Sequence, residues 1–283
     1  ELPESWHFEL KQHAQKQGIT FISTAFDLQS LTFLESLDLP FYKIPSGEIT
    51  NGPLLKAFAR TGKNVILSTG MATLGEVEQA LAILSWGYLR DEEPESLSEI
   101  WQHWSGGDAE KVIRKKVSLL HCPSQYPTPM AEVNLKAMDT LGSAFGLPVG
   151  YSDHTEGLLI PVAAVSRGAA IIEKHFTLDR ALPGPDHRAS LEPGELQEMV
   201  SQIREVELAL GDGRKKPQPS EWDTRAAARQ QIIATTNIMT GDMLTVDNIG
   251  TARAGSGTSP LYYWDLVGSV SGRDYSKGEP VER

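Results

Sequence analysis

Two histidines, His154 and His175, each close a short apolar run, LPVGYSDH and AAIIEKHF. A pair of imidazoles can hold a divalent metal. No thiolate lies near them in the chain, so the expected site is open, with water and substrate completing the shell. Other apolar runs also end in small polar residues. GITFISTAFD carries Ser23 and Thr24, LPFYKIPSGE carries Lys43, Ser46 and Glu48, and KNVILSTGM carries Ser68 and Thr69. VSLLHCPSQYP carries His121 and Tyr126, while Ser152 and Asp153 precede His154, and Lys174 precedes His175. Taken singly, each Ser or Thr is turn or cap chemistry. Four of them at equivalent positions, with the ammonium of Lys43, make a phosphate site. His121 reads as a packed or hydrogen-bonded histidine, and Cys122 as a small buried side chain rather than a nucleophile. The Pro/Gly loop RALPGPDHRASLEP, residues 180–193, presents Asp186 and His187, and loop polar groups of this kind orient substrates.

The runs recur at a regular spacing. Thr24 to Ser46 and Ser46 to Ser68 are 22 residues each, and Ser152 to His175 is 23. Strand–helix alternation of this period predicts a parallel sheet with helical crossovers, in which sites form at the C-terminal strand ends. Six strands are expected over about 20–210, after a helix at about 4–17 that Gly18 caps. Thr73-Leu74-Gly75-Glu76 forms a capping-box pattern for the helix after the third strand. An eight-stranded barrel typically uses about 250 residues. The spacing therefore fits either a complete open six-stranded sheet or an eight-stranded barrel lacking its first two strands. The charged stretch 86–115, with Trp86, Trp101 and Trp104, reads as one or two inserted surface helices. A helix at about 193–210 leads to a Gly/Pro-rich linker, 211–223, and then to short β-like runs with glycine turns over 224–283.

Bulk composition narrows the function classes. The 283 residues carry a net charge of −11, which argues against nucleic acid or an anionic membrane as partner. An anionic substrate is still open if its positive partners are placed locally. The single cysteine, Cys122, precludes an internal disulfide and fits a reducing cytoplasm. No apolar run reaches the length of a membrane span, and the first residues have neither the pattern of a signal peptide nor that of a transit peptide.

The segments YKIPSGEITNGPLL, VILSTGMAT, LLHCPSQYPTP, VGYSDHT, IIEKHFTLDR and PGPDHRASLEP occur in this order. Together they resemble the sialic acid synthase family, which condenses phosphoenolpyruvate with an N-acylated hexosamine. The end of the chain, GTARAGSGTSPLYYWDLVGSV, is similar to the antifreeze-like (SAF) domain of those enzymes. The resemblance runs from about residue 4 to 283 and implies a TIM (β/α)8-type barrel over 1–210, with a small β-rich SAF domain over 224–283. It implies that Thr24, Lys43, Ser46, Ser68 and Ser152 bind phosphoenolpyruvate, and that His154 and His175 ligate manganese or, alternatively, magnesium. It places Glu48, Tyr126 and Asp186 at the amino sugar as the reacting groups. Ser124 stands at a sugar-contact position where some members have Asn. Arg253 matches an arginine that reaches the partner subunit's barrel, which implies a domain-swapped homodimer. The substrate is expected to be N-acetylmannosamine or a 2,4-diacetamido-trideoxy sugar, with the pseudaminic branch less favoured. Family members have two further strands before the first helix, carrying an acidic residue, a Lys and a polar residue. None of these is in the sequence, so the chain is expected to be N-terminally truncated, and either inactive alone or completed by another segment. Rival readings are a different phosphate-binding barrel aldolase or synthase, which would lack the SAF tail, and a non-catalytic remnant that binds sugar or dimerises.

Overall fold

Parallel pairing dominates the larger part of the molecule. In a computed structural model that describes residues 2–283, five strands form one parallel sheet in sequential order. They are β1 (Phe41–Ile44), β2 (Asn64–Ser68), β3 (Val117–His121), β4 (Val149–Asp153) and β5 (Ile172–Lys174). The helices of this part are α1 (Glu4–Lys16), α2 (Leu28–Ser36), α3 (Gly52–Arg60), α4 (Leu74–Leu89), α5 (Leu97–Trp104), α6 (Gly107–Lys116), α7 (Lys136–Phe145), α8 (Leu159–Ser166) and α9 (Pro193–Leu210). Each pair of consecutive strands is joined by at least one helix, as parallel pairing requires. All five residues of β4 are buried, the signature of a strand covered on both faces. Tyr42, Ile44, Val65, Leu67, Val117, Leu119, Val149 and Tyr151 supply the strands' share of the main core, and Leu55, Phe58, Leu81 and Leu84 pack on it from α3 and α4.

Local signals fix where the helices start. Thr73 and Glu76 form the expected capping box at α4, and Asn51 caps α3 with a proline in its first turn. The 86–115 stretch builds α5 and α6. Ile100, Trp101 and Trp104 pack with Ala82 and Trp86 of α4, while Trp104 donates to Glu78 at 3.2 Å.

The expected first strand, ending at Thr24, does not form. Residues 19–25 run without regular structure, and none of their backbone groups enters the sheet ladder. An apolar run becomes a strand only where a neighbour's edge accepts its hydrogen bonds. Here Phe21 packs against the core through its side chain instead. The sheet therefore has five strands where the sequence predicts six.

The chain divides into two compact units, Glu1–Gly211 and Asp212–Arg283. The second unit contains α10 (Trp222–Ala228), the antiparallel pair β6 (Gln231–Ala234) and β7 (Ile249–Ala252), and α11 (Tyr263–Leu266). Isolated bridges join Ile233 to Pro280, Ile238 to Tyr275 and Met243 to Val270, around a small core of Ile232, Ile238, Leu244, Ile249 and Val281. Among the described residues no helix is long and apolar enough to cross a membrane.

Candidate active site

The C-terminal ends of β1 to β5 bring most of the sequence-predicted residues together. Parallel register sets His121 beside Tyr151, and Ser152 and Asp153 beside Glu173 and Lys174. Ser152 Oγ donates to Glu173 Oε1 at 2.6 Å, and Lys43 Nζ lies 3.4 Å from the same oxygen. Glu173 thus joins the end of β1 to the end of β4. Ser46 opens a short 3-10 turn, Ser46–Glu48, and accepts from the Gly70 N–H at 2.9 Å. Ser68 Oγ is buried and, among the described residues, has no hydrogen-bond partner. A buried orphan hydroxyl is a group that a ligand would satisfy.

Gly70 lets these loops converge. A Cβ there would lie 2.3 Å from Ser124 Oγ and 2.7 Å from both Ser46 Oγ and the Cys122 carbonyl. No side chain larger than hydrogen fits between the β1, β2 and β3 loops at this point. Neither Gly70 nor Glu173 was expected from the sequence. The small residue following Ser68-Thr69 and the carboxylate beside Lys174 were the available signals. Their roles depend on strand register, which spacing does not give.

The two imidazoles meet. Their ring centroids are 5.2 Å apart, and Tyr126 stacks on His154 at 4.0 Å while touching His175 edge-on at 5.3 Å. His154 Nδ1 is 2.7 Å from the Pro123 carbonyl. That oxygen can only accept, so Nδ1 carries the proton and Nε2 keeps its lone pair free. Burial pushes the pKa of both histidines down, and in His175 the neighbouring His154 adds to the effect. Both are therefore neutral near pH 7, the form that ligates metal. Among the described residues no group of three or more His, Cys, Asp or Glu is placed to hold a metal unaided. Two neutral imidazoles, one fixed in tautomer by a backbone carbonyl, fit a divalent ion whose other positions are left to water and substrate.

Asp186 Oδ2 approaches His175 Nδ1 to 3.8 Å, too far for a hydrogen bond. Its loop is tied at the base. Leu191 N–H donates to the His175 carbonyl and Thr177 N–H to the Leu191 carbonyl, each at 2.9 Å, and Thr177 Oγ1 meets His187 Nδ1 at 2.7 Å. Glu48 accepts from Asn51 Nδ2 at 2.7 Å. His121 is packed and hydrogen-bonded, with Nε2 3.0 Å from the Val133 carbonyl and its ring against Tyr151; Cys122 is buried. Thr24 stands apart. It lines a cleft of about 560 Å³ with His7, Ser23 and Asp27, and no hydrogen bond ties it to Lys43, Ser46 or Ser152. Arg253 follows β7 in the second unit, where its side chain is exposed.

Asp153 neither caps α8, which starts at Leu159, nor hydrogen-bonds His154. It accepts from Thr155 N at 3.0 Å, from Thr155 Oγ1 at 3.2 Å and from Lys174 Nζ at 2.7 Å.

A parallel sheet that gathers hydroxyls, an ammonium and paired imidazoles at its C-terminal strand ends has the arrangement of an α/β enzyme with a TIM-like sheet. The chain belongs to the NeuB family, whose profile matches residues 1–215. It is 44% identical to N,N'-diacetyllegionaminic acid synthase of Campylobacter jejuni over 99% of this chain and 77% of that protein. It is 42% identical to the synthase of the same name from Legionella pneumophila, over 98% of this chain and 72% of that protein. Among solved structures, N-acetylneuraminic acid (sialic acid) synthetase from Leptospira borgpetersenii aligns with a TM-score of 0.66 and 37% identity, covering 80% of this chain and 70% of that one.

Proposed function

We propose that the protein condenses phosphoenolpyruvate with an N-acylated hexosamine and water, releasing phosphate and a nonulosonic acid. The observation that carries this reading is the convergence of Lys43, Ser46, Ser68 and Ser152 with the His154–His175 pair at one end of the sheet. The two legionaminic relatives favour a 2,4-diacetamido-2,4,6-trideoxymannose as the sugar, with N-acetylmannosamine as the alternative.

In this reading Lys43 and the three serine hydroxyls hold the phosphate and carboxylate of phosphoenolpyruvate. Holding that substrate against the open-chain sugar aligns its nucleophilic C3 with the aldehyde carbon. As the C3–C1 bond forms, the aldehyde oxygen takes up a proton and positive charge develops at C2. Water adds at C2, and the tetrahedral intermediate expels phosphate by C–O cleavage. Glu48, Tyr126 and Asp186 line the sugar side and serve as its proton-handling and orienting groups, with Ser124 beside them. His154 and His175 would hold manganese, or magnesium, which when bound supplies Lewis-acid polarisation of the aldehyde.

The second unit is read as an SAF-type domain. Arg253, exposed and without an ion-pair partner among the described residues, is the group it would offer to the sugar's acyl function in a partner subunit, as a domain-swapped homodimer. Cytoplasmic location is proposed from the reduced-thiol composition. The test is phosphate release from phosphoenolpyruvate with manganese and each sugar in turn, on this chain and on a form extended to the relatives' length. Release that depends on one amino sugar and is lost in His154→Ala is expected. Release independent of any sugar, or none in either form, would refute the assignment.

A further inference from the structure

Lys174 and Asp153 form an ion pair whose side chains are 2% and 0% exposed. They are register partners at the ends of β5 and β4. Each directly precedes one of the paired imidazoles: Asp153 comes before His154, and Lys174 before His175. The ammonium also donates to the Thr155 carbonyl, so it grips the residues on both sides of His154. Thr155 in turn donates to Asp153 through its N–H and its hydroxyl, and it is fully buried. The His154 carbonyl is taken by Thr128 N–H at 2.9 Å.

Stability does not account for this arrangement. A buried ion pair is often no better for stability than apolar side chains of the same volume, because both charges must leave water. What it does supply is direction. Two contacts of one ammonium, to the Asp153 carboxylate and the Thr155 carbonyl, fix the offset between the two strand ends one residue beyond the Ser152–Glu173 hydrogen bond. We propose that Lys174, with Asp153 and Thr155, is a positioning cluster that sets the separation and orientation of His154 and His175, and hence the affinity of the site for a divalent ion. This rests on the reading of those histidines as metal ligands. Lys174 touches neither substrate nor metal in this role; it acts through the two backbones.

The experiment titrates manganese alone into the intact chain by calorimetry, with urea unfolding run in parallel. The double variant Asp153→Asn/Lys174→Met removes both charges and keeps the volume. Its manganese Kd is expected to rise by about tenfold or more, the usual range for groups that orient metal ligands, while its urea midpoint stays near that of the unaltered protein. Thr155→Val keeps the shape, removes one hydroxyl and provides a reading even if the double variant folds poorly; its Kd is expected to rise about threefold. His154→Ala serves as the reference for loss of a ligand. Loss of binding in His154→Ala with unchanged Kd in Thr155→Val and in any folded double variant would overturn the positioning role and leave the ligand assignment standing. No manganese binding by the unaltered chain would overturn both.

Discussion

Glu173 accepts the hydroxyl of Ser152 at 2.6 Å, on the same oxygen that lies 3.4 Å from the Lys43 ammonium. A carboxylate therefore engages two of the groups assigned to the phosphate-bearing substrate. A bound anion must share or displace those contacts and sit beside a like charge. Replacing Glu173 by Gln keeps an acceptor for Ser152 and removes the charge. The expected result is tighter binding of phosphoenolpyruvate, by roughly tenfold. Equilibrium binding in the absence of sugar checks it; weaker binding would show that Glu173 supports the anion site.

Ser68 offers a cleaner separation of binding from stability. Its buried hydroxyl has no hydrogen-bond partner among the described residues, so Ser68→Ala removes no hydrogen bond seen there. Stability should be unchanged or slightly higher, since a desolvated orphan group is lost. Affinity for phosphoenolpyruvate should fall about tenfold, as for the loss of a charge-assisted bond. Denaturant midpoint and ligand titration on the same preparation decide between the two effects.

Gly70→Ala is expected to act on geometry alone. The new methyl would clash with Ser46, Ser124 and the Cys122 carbonyl at 2.3–2.7 Å, forcing the β1 and β3 loops apart. Displacement on this scale should lower kcat/KM by about 100-fold, with a far smaller change in the urea midpoint than a core truncation would give. Wild-type kinetics in this variant would show that the loops yield without disturbing the substrate groups.

The pH dependence of stability follows from His121. Burial pushes its pKa below the ordinary 6.5, so the unfolded chain binds a proton more readily than the folded one. Stability from this group is complete above pH 6.5 and is lost as pH falls through the lower folded value. His154 and His175 shift the same way. His121→Asn, which keeps a donor near the Val133 carbonyl, should flatten part of the slope below pH 6.5 in urea melts. An unchanged slope would place the acid sensitivity elsewhere.

The strand ends were legible because hydroxyls, Lys43 and both histidines sit at nearly constant intervals after apolar runs, and a parallel sheet turns such intervals into neighbours. The Thr24 run shows where that logic stops: its composition suits a strand, yet strand formation depends on an edge to pair with, which composition does not report. The Asp153–Lys174 pair illustrates the complementary case. Twenty-one residues separate the two in the sequence, and only the one-to-one register of β4 with β5 brings the ammonium to the carboxylate. Glu173 and Gly70 were missed for the same reason, since each matters for what approaches it from another strand.

The 180–193 loop has consequences for how such an enzyme diversifies. Its base is pinned beside the imidazoles by the Thr177–Leu191 and His175–Leu191 hydrogen bonds and the Thr177–His187 contact, whereas Asp186 sits out on the rim. A hoop fastened at its ends can exchange its rim residues without retuning the groups at its foot. Evolution can then exchange the loop residues around Asp186 while the strand ends at its foot keep their backbone anchors, so loop sequence and strand-end geometry are separately heritable on this scaffold.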